Sequence, residues 1–131
     1  QVEEFCDRTG CDSLAVSIGN VHGLQEKPKI DLNVLAEISK VAPVPLVLHG
    51  GSGIPFETIR AMRQYGMMKI NIASDLRQAY IRAKRYEENH EEANLVSVLM
   101  DARNAVSEMA YDLAIEINKD VLIGKFAEQV A

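Results

Sequence analysis

The sequence predicts an α/β fold in which parallel strands alternate with helices. Three short apolar runs carry that prediction: residues 13–18 (SLAVSI), 45–48 (PLVL) and 67–72 (MMKINI). Each is followed by a turn of small or polar residues and then by a segment with helical periodicity. Parallel pairing with right-handed crossovers requires that order.

The opening stretch, QVEEFCDRTG, reads as the last turns of a helix capped near Gly10. No initiator methionine stands before it, and we expect the 131 residues to be a piece of a longer protein. The first strand, 13–18, ends in Gly19-Asn20-Val21-His22-Gly23, and the polar loop LQEKPKI leads to Asp31. Asp31 suits the N-cap of the helix LNVLAEISKV, whose apolar positions are Leu32, Leu35, Ala36 and Ile38. Pro45-Leu46-Val47-Leu48 is apolar without alternation, so it reads as a strand buried on both faces. His49 sits where that strand ends, and Gly50, Gly51, Ser52 and Gly53 follow without a large side chain. Pro55 suits the first turn of a helix reaching Tyr65 and stopping at Gly66. The strand 67–72 closes in Ala73-Ser74-Asp75, where Ser74 or Asp75 is placed to cap the next helix. Beyond residue 76 the pattern is helical. LRQAYIRAKRYEENH is strongly charged, and its His90, among four glutamates, reads as solvated surface. Leu95, Leu99, Ala102, Val106, Met109, Leu113 and Ile117 then form an apolar stripe expected to pack on the body of the protein, or else to meet another subunit. Residues 121–131 are too short a tail to assign.

At 131 residues the length fits one domain with a real core. With 47% hydrophobic and 25% charged residues the composition is that of a globular chain, and no apolar run approaches a membrane span. A net charge of −5 argues against a nucleic-acid partner, which favours a basic face. Cys6 and Cys11 form neither a C-x-x-C pair nor a disulfide framework, so reduced thiols in the cytoplasm are expected.

A His-Gly pair occurs twice, at His22-Gly23 and His49-Gly50, 27 residues apart, about one strand-plus-helix unit. If the strands before them are neighbours, both histidines emerge at one carboxyl edge with backbones roughly 5 Å apart. Imidazoles so placed can share one ion at N–metal distances of about 2.0–2.1 Å. Asn71 lies at the matching end of the third strand. Gly50-Gly51-Ser52 and Ile72-Ala73-Ser74 are small-residue loops running into helices, the kind that hold phosphate by backbone N–H groups. Strand-end histidines also serve as hydrogen-bonded structural residues and glycine turns as tight connections, so spacing alone leaves both readings open.

DSLAVSIGNVHG, PLVLHGGSGIP and KINIASDLRQAY, in that order and spacing, closely resemble the class II, zinc-dependent ketose-bisphosphate aldolases. The resemblance covers essentially the whole chain. It implies a (β/α)8 TIM barrel, with these as the last three parallel strands followed by carboxyl-terminal helices. Residues 1–131 would then be the carboxyl-terminal part of one barrel domain. It further implies that His22 and His49 are two of three zinc ligands and that Gly23, Gly50 and Ser52, with Gly51 in the same loop, contact dihydroxyacetone phosphate. Asn71, Ile72, Ala73 and Ser74 resemble the second substrate loop, with Asn71 toward the enediolate and Ser74 toward the phosphate. A monovalent cation, Na+ or K+, near Gly23 and Ser52, and a homo-oligomeric parent, are implied as well. The implied reaction is reversible cleavage of fructose 1,6-bisphosphate to dihydroxyacetone phosphate and glyceraldehyde 3-phosphate.

The sequence departs from the family in several places. The third zinc histidine, the acid/base aspartate and the glutamate-bearing loop belong to earlier strands that these residues do not include, so the isolated chain is expected to be inactive and to leave a barrel edge and apolar surface open. Gln25 stands where a tyrosine is usual. Ala73 stands where the long fructose-type subgroup has an aspartate, and NIAS is nearer the tagatose-type pattern. Rival readings are tagatose 1,6-bisphosphate cleavage, a metal-free barrel that grips phosphate, and a non-catalytic half-barrel module.

Overall fold

The three apolar runs pair side by side as a parallel sheet. The computed structural model describes residues 1–20, 29–87 and 94–130. Its elements are α1 Val2–Thr9, β1 Leu14–Val16, α2 Leu32–Val41, β2 Leu46–Leu48, α3 Phe56–Ala61 with a 3-10 turn Met62–Tyr65, β3 Met67–Ile70, α4 Ser74–Glu87 and α5 Leu95–Val130. They form two compact units, Gln1–Ala73 and Ser74–Ala131.

In the first unit the strand order is β1-β2-β3, both pairings parallel. Leu14, Ala15 and Val16 stand opposite Leu46, Val47 and Leu48, and β2 meets β3 as Leu46 with Met67, Val47 with Lys69 and Leu48 with Ile70. The shift between the first two of those pairs makes Met68 an extra residue, a bulge that leaves it 74% exposed. Without it strict alternation would put Met67 and Ile70 on opposite faces. With it, Met67 and Ile70 line up with Leu46 and Leu48.

Burial distinguishes the two faces of the sheet. Val16, Ile18, Leu46, Leu48 and Met67 are buried on one face, with Leu35, Ile59 and Met62 buried in the adjoining helical segments. Ala15, Ser17, Val47, His49, Lys69 and Asn71 alternate with them on the other. Of that second set Val47 alone is buried, screened between the flanking strands. β2 is therefore covered on both faces as expected, whereas β1 and β3 are not.

Local chemistry accounts for the helix ends. Gly10 adopts the left-handed conformation, φ 61°, and returns its N–H to Cys6 O at 2.8 Å. Asp31 caps α2, its carboxylate accepting from the N–H groups of Asn33 (2.9 Å) and Val34 (3.1 Å). The helix expected from Pro55 to Tyr65 tightens to 3-10 geometry after Ala61 and stops at Gly66, φ 77°.

In the second unit α4 and α5 pack together. Helix α4 starts at Ser74 itself, so Asp75 lies in its first turn rather than before it. Asn94 caps α5, its Oδ1 accepting from Val96 and Ser97 N–H at 3.0 Å while Ser97 Oγ accepts from Asn94 N–H. The apolar stripe needs correction at its start. Leu95 and Leu99 are 72% and 48% exposed, and the covered face runs through Val98 and Ala102. Leu99 lies about 100° round the helix from Val98, which takes it off that face. Residues 121–130, unassigned from sequence, continue α5.

Candidate functional site

The carboxyl ends of β2 and β3 open onto one rim, and the sequence places a chemically capable side chain at each. His49 follows β2 and is exposed; Asn71 follows β3 and is half-buried. Asn71 N–H donates to Leu48 O at 2.8 Å, carrying the ladder one step past β3. Its carbonyl then accepts the N–H of Gly51 at 3.0 Å, so the loop after β2 is stitched to the loop after β3.

That stitching explains one glycine. A Cβ on Gly51 would lie 2.5 Å from Ile70 Cγ2, 3.2 Å from Asn71 O and 3.3 Å from Ile72 Cγ1. Close approach of two loops, rather than conformational freedom, is what demands glycine there. Because the Gly51 N–H is committed to Asn71, this residue serves the site through packing. Gly50 (φ 62°) and Gly53 (φ 79°) supply the left-handed backbone that turns the loop, with Ser52 buried between them at 4% exposure.

The orientation of the Asn71 amide follows from donor chemistry. Lys69 lies two residues back on the same face of β3, and its Nζ stands 2.7 Å from Asn71 Oδ1. An ammonium only donates, so the Asn71 atom facing it must be the oxygen. The amide nitrogen is thereby turned toward His49, 3.5 Å from both Nδ1 and Nε2. At that length, and equidistant from the two ring nitrogens, this is juxtaposition rather than a strong hydrogen bond. The rim thus presents an imidazole, an amide donor and a lysine charge side by side.

On the other flank Asn20 bridges the ends of β1 and β2. Its Oδ1 accepts Ile18 N–H at 3.1 Å and its Nδ2 donates to the carbonyl of His49. The bridge fixes the backbone that carries the histidine. Gly19 (φ 91°) precedes it where the chain passes Lys29 so closely that a Cβ would strike the Lys29 carbonyl, while Asp31 N–H reaches Ile18 O at 2.8 Å.

Of the residues singled out from sequence, His49, Gly50, Gly51, Ser52, Asn71, Ile72 and Ala73 lie on the two neighbouring loops of the first unit, and Ser74 opens the second. His22, Gly23, Gln25 and His90 lie outside the described residues. Lys69 and Asn20 were missed. The signal for Lys69 was a charge inside an apolar run, two positions before Asn71 and hence on its face. The exposed His49 imidazole has donor chemistry that suits a metal ion. Among the described residues no three His, Cys, Asp or Glu side chains gather in a cluster that would complete a metal site.

Residues 1–120 match the sequence family described as fructose-bisphosphate aldolase class-II. Among solved structures, the YdjI aldolase from Escherichia coli K12 is 36% identical with a TM-score of 0.74, over 88% of this chain and 42% of that one. A Coccidioides immitis protein is 24% identical at TM-score 0.79, over 88% and 41%. Fructose-bisphosphate aldolase from Campylobacter jejuni is 24% identical at TM-score 0.64, over 89% and 43%. The chain therefore spans about two fifths of the length of the structures it matches.

Proposed function

We infer a function from one premise: this chain belongs to the class II fructose-bisphosphate aldolase family, and its three parallel strands with their helices are part of a (β/α)8 barrel. We propose that the protein to which these residues belong is a zinc-dependent lyase. It would cleave fructose 1,6-bisphosphate to dihydroxyacetone phosphate and glyceraldehyde 3-phosphate, and run the reverse addition, in the cytoplasm as a homo-oligomer. The observation that carries this reading is the placement of His49 and Asn71 side by side at the carboxyl rim, with the glycine loop stitched to the strand that bears Asn71.

His49, joined by His22, would hold the Zn2+. Bound there, zinc supplies Lewis acidity that stabilises negative charge on the substrate's oxygens. The residues of this chain do the rest of the work assigned to the rim. The Asn71 amide, aimed by Lys69, donates to a substrate oxygen on which charge develops. Backbone N–H groups of Gly23, Gly50 and Ser52, with the Ile72-Ala73-Ser74 segment, would take the phosphate, and Gly23 and Ser52 would help hold a Na+ or K+ that adds positive charge beside it. Gly51 keeps the two loops at the spacing these contacts need.

Residues 1–131, read as the carboxyl-terminal part of one barrel domain, would not turn over by themselves, because the acid/base aspartate and third zinc histidine are expected on other strands. A second reading, tagatose 1,6-bisphosphate as substrate, is favoured by Ala73 in the NIAS segment. The test is triose phosphate release from both sugars by the longer protein, before and after chelation and zinc restoration, alongside the 131-residue chain. Activity that survives exhaustive chelation would leave a metal-free, phosphate-gripping barrel. Turnover by the short chain at full rate would overturn the division of labour proposed here.

A further inference from the structure

The first unit carries a second pair of reactive groups, at the opposite end of the sheet from His49. Cys6 in α1 is buried and Cys11, just past the Gly10 turn, is half-buried; both are free thiols. The left-handed Gly10, held by its N–H to Cys6 O at 2.8 Å, turns the chain back so that the two sulfurs stand 3.9 Å apart. This is a fold-imposed contact between two nucleophilic atoms, and neither takes part in the chemistry proposed above.

We propose that Cys6 and Cys11 form a two-thiol oxidation site, converted to an intramolecular disulfide by a peroxide-class oxidant. The half-buried Cys11 sulfur attacks one peroxide oxygen; the O–O bond breaks, water leaves, and Cys11 becomes a sulfenic acid. The Cys6 sulfur then attacks the Cys11 sulfur, the S–O bond breaks, and a second water leaves. Two thiols and one hydrogen peroxide give one disulfide and two waters, the two electrons passing from sulfur to oxygen. Cys11 is the entry point because it is the more accessible thiol. Cys6 is a poor first nucleophile: burial pushes its thiol up from the usual range, and the neighbouring Cys11 thiol and Asp7 carboxylate push it further. Its own step needs no diffusion, only closure from contact to a bond of about 2.05 Å.

The disulfide would tie the last turn of α1 to the segment entering β1. Leu14 and Ile18 are separated along the strand by roughly 13 Å, so the tie lies well away from the rim and is expected to leave it unaltered. The proposal rests on the thiol contact alone and stands or falls apart from the lyase reading.

The test treats the 131-residue chain with hydrogen peroxide and follows intact mass, dimedone trapping of sulfenic acid and peptide mapping. The parent should lose two hydrogens, map to a Cys6–Cys11 link and trap little dimedone, all reversed by dithiothreitol. C6S should accumulate the dimedone adduct on Cys11, and C11S should leave Cys6 unmodified. Because the fold sets the contact, half-oxidation in a glutathione buffer should need a reduced-to-oxidised ratio at least about tenfold higher for the folded chain than for the chain in urea. Oxidation of Cys11 to the sulfinic acid with Cys6 untouched, disulfide-linked dimers, or equal ratios in the two states would each overturn the proposal.

Discussion

Replacing Asn20 by alanine removes the side chain that ties the Ile18 amide to the His49 carbonyl. Ile18 is 1% exposed, so its N–H loses its acceptor where water does not readily replace it. An orphaned buried donor costs about 1–3 kcal/mol. The His49 carbonyl belongs to an exposed residue, so hydration offsets most of the second loss, which adds about 0.5 kcal/mol. The sum, about 2 kcal/mol, should lower the urea midpoint by about 1 M at a slope of about 2 kcal/mol/M. Circular dichroism through a urea titration measures that shift, and amide hydrogen exchange at Ile18 localises it. N20D provides the control: it keeps an acceptor for Ile18 but sets a carboxylate oxygen against the His49 carbonyl, so Ile18 stays protected while stability still falls. Parent-like midpoint and parent-like Ile18 exchange in N20A would refute the claim that this bridge holds the rim together.

Other consequences follow from the same geometry. G51A forces a methyl group against Ile70 and the Asn71 carbonyl, and denaturation should show a loss of about 1–3 kcal/mol, as overpacking costs elsewhere. D31A removes the α2 cap and should cost about 1 kcal/mol, with fraying of residues 32–34 visible in hydrogen exchange. K69M should leave global stability within about 0.5 kcal/mol because Lys69 is exposed. It should nonetheless shift and broaden the Asn71 side-chain amide resonances, which K69R restores; unchanged resonances in K69M would show that Lys69 does not orient Asn71. H49A should abolish zinc binding in the longer protein while leaving its sheet intact, measured by metal content and circular dichroism.

Features encoded by short-range chemistry were legible in the sequence. Gly10, Asp31 and Gly66 end or begin helices through contacts within four residues, and each sits where the sequence places it. The neighbouring strands and the shared rim followed from alternation of apolar runs with helices. What stayed hidden depends on register or on a second segment. The Met68 bulge is visible only against β2, because MMKI fits a regular strand equally well. The pairing of Asn20 with His49 spans 29 residues, and no local pattern announces it. The phase of α5 was misread at Leu95 and Leu99 because several apolar residues at its start offer more than one stripe, and packing selects the one through Val98 and Ala102.

The open face of the sheet carries little of the apolar surface expected of an incomplete barrel. An incomplete barrel was expected to lay bare much apolar surface, and Phe5, Val34, Val41 and Met68 of the first unit are indeed exposed, but on this face Ala15, Ser17, His49, Lys69 and Asn71 are small or polar and Val47 is screened. The hydrophobic load sits on the other face, where Leu46, Leu48, Met67 and Val16 are buried. Water can therefore meet the inner face at modest cost, because little apolar area is added to solvent there. The greater liability lies at the outer edges of β1 and β3, each paired on one side only among the described residues. Edge strands template further pairing through main-chain groups, whatever their side chains. If the 131-residue chain self-associates, its edges rather than its inner face should be responsible. Proline at Ala15, whose outer edge is open, should then reduce association more than a charge placed at Ser17 on the inner face.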